Sequence, residues 1–192
     1  RVAINTAYLI PHGAIRLEIL GFRDLPLLSD DLKTAQGLIA AALDEGAVGF
    51  STGSSYYPSP WGNTAEISEL CRIVAAADRV YVVEPRLVEL DRAQGGNGVE
   101  EGIHVGRNTG VKLHYAHFRT GAANAGQLET LLDPIDAAKA EGIDCSLDIY
   151  PYPTGSSISV ACLPGWAQEG GPDAILMRLA NATERHRIAR YL

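Results

Sequence analysis

Two short apolar runs end in side chains that could hold a metal or polarise a carbonyl. Residues 111–121 read VKLHYAHFRTG, and Val111, Leu113 and Tyr115 alternate with Lys112, His114 and Ala116 at the period of a strand. That run gives out at His117, with Arg119 two residues further on. Residues 80–83 form a second, valine-rich run that ends in Glu84-Pro85-Arg86. In α/β sheets and barrels, chemistry collects at the carboxyl ends of strands, where a histidine beside a cation can engage a metal or a polarised substrate. The competing reading of His117 is a core histidine bonded to a backbone carbonyl. Two segments rich in hydroxyls and tyrosine, 51–58 (STGSSYYP) and 150–157 (YPYPTGSS), have the composition of binding loops.

These tips need elements to carry them. Residues 2–10 (VAINTAYLI) are apolar enough for a buried strand, followed by His12-Gly13. Ser29-Asp30-Asp31 supplies an N-cap and an acidic first turn for a helix. Its stripe is Leu32, Ala35, Leu38, Ile39, Ala42 and Leu43, and Gly46 stops it. Residues 47–50 predict a strand, and Thr64 caps a helix with Ile67, Leu70, Cys71, Val74 and Ala75 on one face. Further helices are predicted over 99–108 and 127–141, a strand over 143–149, and one last helix over 172–191.

Strand and helix thus alternate about five times in units of about 30 residues, the pattern of βαβ crossovers on a parallel sheet. A doubly wound sheet and a TIM barrel both fit that rhythm. No GxGxxG follows the first strand and no GxxxxGK[ST] occurs, so nucleotide binding lacks support. Polar or ionisable residues follow strand after strand (His12, Tyr56, Glu84, His117 and Tyr150), which suits a (β/α)8 TIM barrel of which about five units are present.

Bulk properties agree with a globular α/β enzyme. The 192 residues are 46% hydrophobic and 20% charged, enough for a real core in a single domain spanning 1–192. A net charge of −7 argues against nucleic acid or an anionic membrane as partner. No apolar run approaches the ~18 residues of a membrane span. The chain opens on Arg1 without a signal peptide, and residues upstream are expected to be missing. Cys71, Cys145 and Cys162 show no CxxC spacing and are expected to be reduced thiols in the cytoplasm.

Three motifs converge on one family. GAVGFSTGSSYYP (46–58), HYAHFRTG (114–121) and DIYPYPTGSS (148–157), with LPGWAQEGG (163–171) after them, resemble the N-acyl-D-amino-acid deacylases (D-aminoacylases) of the metal-dependent amidohydrolase superfamily. Order and spacing match across nearly the whole chain. The resemblance implies a TIM-barrel metal-dependent hydrolase with about the third to seventh βα units present. It also implies a centre of one or two divalent ions, Zn²⁺ foremost, whose remaining ligands lie outside this chain.

On this resemblance His117 falls on the sixth-strand metal ligand. Glu84, in YVVEPR, falls where the family's YVTHxR has its fifth-strand histidine. A carboxylate can ligate zinc at about the same reach, but adds negative charge. Alternatively Glu84 pairs with Arg86 or another cation. Tyr150 matches the donor to the tetrahedral oxyanion, Arg119 stands in place of the usual lysine as clamp for the substrate carboxylate, and Tyr56 and Ser156 match polar residues at the same end of the substrate. His12 is expected to be structural, His186 to be solvent-exposed, and His114 to pack or support on the same side of the strand as His117. The implied reaction is hydrolysis of the amide of an N-acyl-(D-)amino acid by a metal-activated water. The alternatives are another amidohydrolase substrate, such as a cyclic amide, a hydantoin or a carbamoyl compound, or a non-catalytic subunit. A partner chain or further segment would complete the barrel.

Overall fold

A computed structural model describes residues 3–121, 124–149, 151–152 and 154–192. Its centre is a five-stranded, all-parallel sheet: β1 (Leu9–Pro11), β2 (Gly49–Gly53), β3 (Val80–Glu84), β4 (Lys112–Tyr115) and β5 (Cys145–Leu147). The strands lie side by side in chain order. A doubly wound sheet reverses direction at a switch point, whereas a barrel adds each strand to the same edge. The sequential order therefore decides for an arc of a barrel.

Helices α1 (His12–Leu20), α2 (Ser29–Asp44), α3 (Thr64–Ala76), α4 (Gly98–Thr109) and α5 (Leu128–Ala140) return the chain between strands. Side chains on a strand alternate between its faces. Phe50, Tyr81, Val83, Leu113, Tyr115 and Cys145 are buried under the helices. The intervening Ser51, Gly53, Val82, Glu84 and His114 are half-buried on the opposite face. Phe50 stacks on Tyr81 with ring centroids 5.8 Å apart, and each such buried ring contributes about 2–3 kcal/mol. From α3, Ile67, Leu70, Cys71 and Val74 are buried at the i, i+3, i+4, i+7 spacing that faces one stripe inward. Burial pushes the Cys71 thiol well above its ordinary pKa.

Several expectations need correction. Among the described residues 3–10 only Leu9 and Ile10 are strand, which runs on to Pro11, and α1 begins at once at His12, a helix the apolar run concealed. Helix α2 starts at Ser29 after Leu28, with no side-chain cap. The cap of α3 is Asn63, whose side chain accepts from the Glu66 amide, while Thr64 donates to Glu101. The last helix is divided into α7 (Gly171–Ala180) and α8 (Ala182–Ala189), after a short α6 (Gly165–Gln168). Asn181 makes the division: its carbonyl side chain accepts from the Thr183 and Glu184 amides and starts a new helix.

Among the described residues no helix is long and apolar enough to cross a membrane.

Candidate active site

Two buried ionic clusters brace the loop after β2. In the first, Glu66 of α3 accepts from Arg16 Nη1 at 2.6 Å and from the Leu27 amide at 3.0 Å, and lies 2.8 Å from His12 Nε2. His12 Nδ1 sits 2.8 Å from Ser59 Oγ, so α1, α3 and the turn Ser59–Trp61 share one network. Burial penalises the Glu66 charge, yet the bonds from His12 and Arg16 outweigh it and hold the carboxyl down at about 2. Burial pushes the His12 pKa below its ordinary value.

In the second cluster Arg86 donates to both oxygens of Glu101, at 2.8 and 3.1 Å, and to the carbonyls of Pro60 and Gly62. Both partners are buried. A planar guanidinium that meets a carboxylate and two carbonyls leaves the 58–62 turn little freedom. Arg86 is thus committed to Glu101, not to Glu84, which removes Arg86, though not another cation, as the ion-pair partner weighed above for Glu84.

With that loop fixed, Tyr56 and Glu84 converge over Gly53. A Cβ placed on Gly53 would stand 3.2 Å from Tyr56 Cδ2 and 3.9 Å from Glu84 Oε2. Gly53 and Glu84 are register partners on β2 and β3. The missing side chain is what lets the ring lie beside the carboxylate.

Across the next strand His117 Nδ1 lies 3.7 Å from Glu84 Oε1. Strict alternation after Tyr115 would turn residue 117 toward the helices. Instead His117 has φ +56°, and Phe118 takes the buried place, packing on Tyr115 at 5.8 Å between ring centroids. One left-handed residue has inverted the strand's parity and turned the imidazole outward beside Glu84. His114 reaches this open face by ordinary alternation. Its Nδ1 lies 2.8 Å from Ser146 Oγ and its Nε2 2.9 Å from Asp148 Oδ2, while Asp148 Oδ1 accepts from the His117 amide at 2.8 Å. These two bonds, that from His114 first, lower the Asp148 pKa.

Of the residues singled out from sequence, Glu84, His117 and Tyr56 therefore meet. Tyr150 lies outside the described residues. Arg119 is exposed two residues past His117, and Ser156 is exposed. It is Ser157 whose hydroxyl donates to Tyr56 OH, at 3.3 Å. Thr52 turns inward, 2.8 Å from Tyr81 OH. Asp148, Glu66 and Glu101 went unremarked. Asp148 carried a signal, since it opens the DIYPYP motif and shares Ser146's face of the strand. Glu66 and Glu101 read as ordinary first-turn acids, and only tertiary contact reveals their arginines.

Two ligands about 2.1 Å from one zinc ion at a tetrahedral angle stand roughly 3.4 Å apart. The 3.7 Å between His117 and Glu84 is long for a hydrogen bond and fits such a pair, one nitrogen and one oxygen donor. Among the described residues no group of three or more His, Cys, Asp and Glu converges further.

No family model matches the chain. It is 35% identical over 161 residues to an N-acyl-D-glutamate deacylase of Alcaligenes xylosoxydans xylosoxydans, covering 83% of this chain and 32% of the relative. A D-aminoacylase of the same organism is 30% identical over 160 residues, with 81% and 32% covered. The crystal structure of N-acyl-D-glutamate deacylase from Bordetella bronchiseptica, complexed with zinc and a phosphonate mimic of the tetrahedral intermediate, superposes with a TM-score of 0.72 at 34% identity, over 80% of this chain and 32% of that one. A crystal structure of D-aminoacylase gives 0.69 at 31% identity, over 78% and 31%. The chain thus spans about a third of the length of these relatives. Over some four fifths of its own length it is a homologue of the N-acyl-D-amino-acid deacylases, and its five parallel strands are the corresponding arc of their fold.

Proposed function

We propose that the protein to which these 192 residues contribute hydrolyses the amide bond of N-acyl-D-amino acids in the cytoplasm, and that residues 1–192 are one part-barrel domain completed by a further segment or a partner chain. The observation that carries this reading is the meeting of His117 and Glu84 at the tips of adjacent strands, 3.7 Å apart, in a chain homologous to deacylases. These two residues would hold a Zn²⁺ ion. When bound, such an ion acidifies a water and polarises the scissile carbonyl.

The remaining chemistry belongs to side chains. Tyr150 donates its hydroxyl proton in a hydrogen bond to the developing oxyanion, a neutral donor at pH 7 because a free tyrosine ionises near 10. Arg119 receives the substrate's α-carboxylate on its two-pronged guanidinium. Tyr56 closes the wall beside Glu84, steadied by Ser157, and Ser156 offers a hydroxyl at the carboxylate end. Glu84 in place of histidine leaves the centre one charge more negative, which weakens its pull on the carbonyl.

That same carboxylate favours a second reading, a barrel subunit without turnover or with a shifted amide substrate. Zinc-loaded full-length protein, assayed against N-acetyl-D-glutamate, N-acetyl-D-leucine, their L enantiomers and a hydantoin, separates the readings. Turnover of a D substrate at more than ten times the rate of its L partner is expected. Turnover of the hydantoin alone, or of nothing, would refute deacylation.

A further inference from the structure

Asp148 grips the left-handed turn at His117. Asp148, just past β5, receives the His117 amide on Oδ1 at 2.8 Å and His114 Nε2 on Oδ2 at 2.9 Å, and His114 is anchored in turn by Ser146 at 2.8 Å. The same backbone is tied a second time, since the Phe118 amide donates to the Asp148 carbonyl at 2.8 Å. A non-glycine residue at φ +56° occupies a region that persists only where the surroundings over-determine it. Nothing in β4 alone would put residue 117 on the open face, as alternation sends it to the core.

We propose that Asp148, oriented by His114 and Ser146, is a positioning residue that fixes the left-handed backbone of His117 and so aims its imidazole at Glu84. The proposal rests on the reading of His117 as a metal donor for its effect on affinity, but not for its effect on the backbone. Asp148 acts through geometry. Both carboxylate oxygens are used, one on the main chain and one on an imidazole, and an asparagine can reproduce both contacts. Its Oδ1 still accepts from the amide, and its Nδ2 donates to His114 Nε2 once that ring carries its proton on Nδ1. Alanine reproduces neither.

The experiment compares full-length wild type, Asp148→Ala, Asp148→Asn and His114→Gln. Zinc affinity is read by titration, and the φ of His117 by its backbone carbon and amide chemical shifts. Denaturant midpoints report the rest of the fold. Loss of an outer contact to a metal-holding residue weakens binding by about 10- to 100-fold. Asp148→Ala is expected to fall in that range and to move the His117 shifts out of the left-handed region, with the midpoint little changed. Asp148→Asn is expected to bind zinc within about threefold of wild type, and His114→Gln to fall between the two.

Wild-type zinc affinity and wild-type His117 shifts in Asp148→Ala would overturn the proposal. So would equal losses in the Ala and Asn variants, which would assign the effect to charge. Should wild type itself fail to bind zinc, the metal reading fails. The His117 shifts in Asp148→Ala then decide the positioning role alone, upheld if they move and overturned if they do not.

Discussion

Replacing Glu66 by alanine tests how the loop after β2 is held. At neutral pH its carboxylate is the counter-charge of Arg16, with 2.6 Å between Nη1 and Oε1 and both side chains almost wholly buried. Removing one partner of a buried ion pair strands the other, at a cost of about 3–5 kcal/mol. The Leu27 amide loses its acceptor as well, adding about 1 kcal/mol. Against a typical total of about 5–15 kcal/mol, Glu66→Ala is left marginal. Glu66→Gln keeps an acceptor for Leu27 and loses less. Urea unfolding followed through buried Trp61, which lies in the braced turn, measures both. A loss below about 1 kcal/mol for the alanine variant would mean the cluster behaves like a surface pair, and the bracing argument would fall.

Acid gives an independent reading of the same cluster. The Glu66 carboxyl is held at about 2 against an ordinary 4.5, so between those values the unfolded chain takes up a proton that the folded chain refuses. Stability therefore falls as pH falls, by about 3 kcal/mol across that window at 1.36 kcal/mol per pH unit. His12, lowered by burial, adds a loss of the same sign that begins higher, below its ordinary 6.5. Glu66→Gln is expected to flatten the curve between pH 4.5 and 2 by about the stated amount. An unchanged slope would assign acid sensitivity elsewhere.

Three further outcomes are expected. Gly98→Ala would drive a methyl into the Arg86 amide and to 2.8 Å from the Arg86 carbonyl oxygen; since backbone must move, a loss of about 1–3 kcal/mol is expected by denaturation, and a neutral result would contradict the packing of α4 on the β3 exit. His117→Ala, under the proposed function, is expected to weaken zinc binding at least about 100-fold, beyond what outer contacts contribute, measured by competition with a chelator. Arg119→Ala is expected to raise KM for an N-acetyl-D-amino acid about 10- to 100-fold, from a charge-assisted bond of about 1.5–3 kcal/mol, whereas Arg119→Lys recovers most of it; equal KM values would remove Arg119 from the substrate's carboxylate.

Much of this architecture was legible along the chain because local rules and tertiary packing agree. Leu128–Ala140 and Gly98–Thr109 appeared with nearly their observed bounds, each stopped by a left-handed glycine, Gly142 and Gly110. The first helix was hidden because His12 and Arg16 face a buried carboxylate and so break the apolar stripe that marks a helix. Strand alternation separates His114 from Leu113 and Tyr115, and the structure has it on the face opposite those two buried residues. Alternation could not place His117, whose direction follows from a φ fixed by Asp148, 31 residues away. The commitment of Arg86 to Glu101 was equally illegible, since Glu84 is the nearer carboxylate in the sequence and loses to one delivered by the turn of a helix.

The backbone at His117 has a consequence for any library built on this protein. Glycine and asparagine occupy φ near +56° with less strain than histidine does. Selection for folding alone would then enrich those two residues at position 117, while selection for zinc, under the proposed function, would retain side chains that ligate it, the imidazole among them. At this one codon the two screens should rank variants in opposite order, with fitness for shape and fitness for chemistry pulling apart.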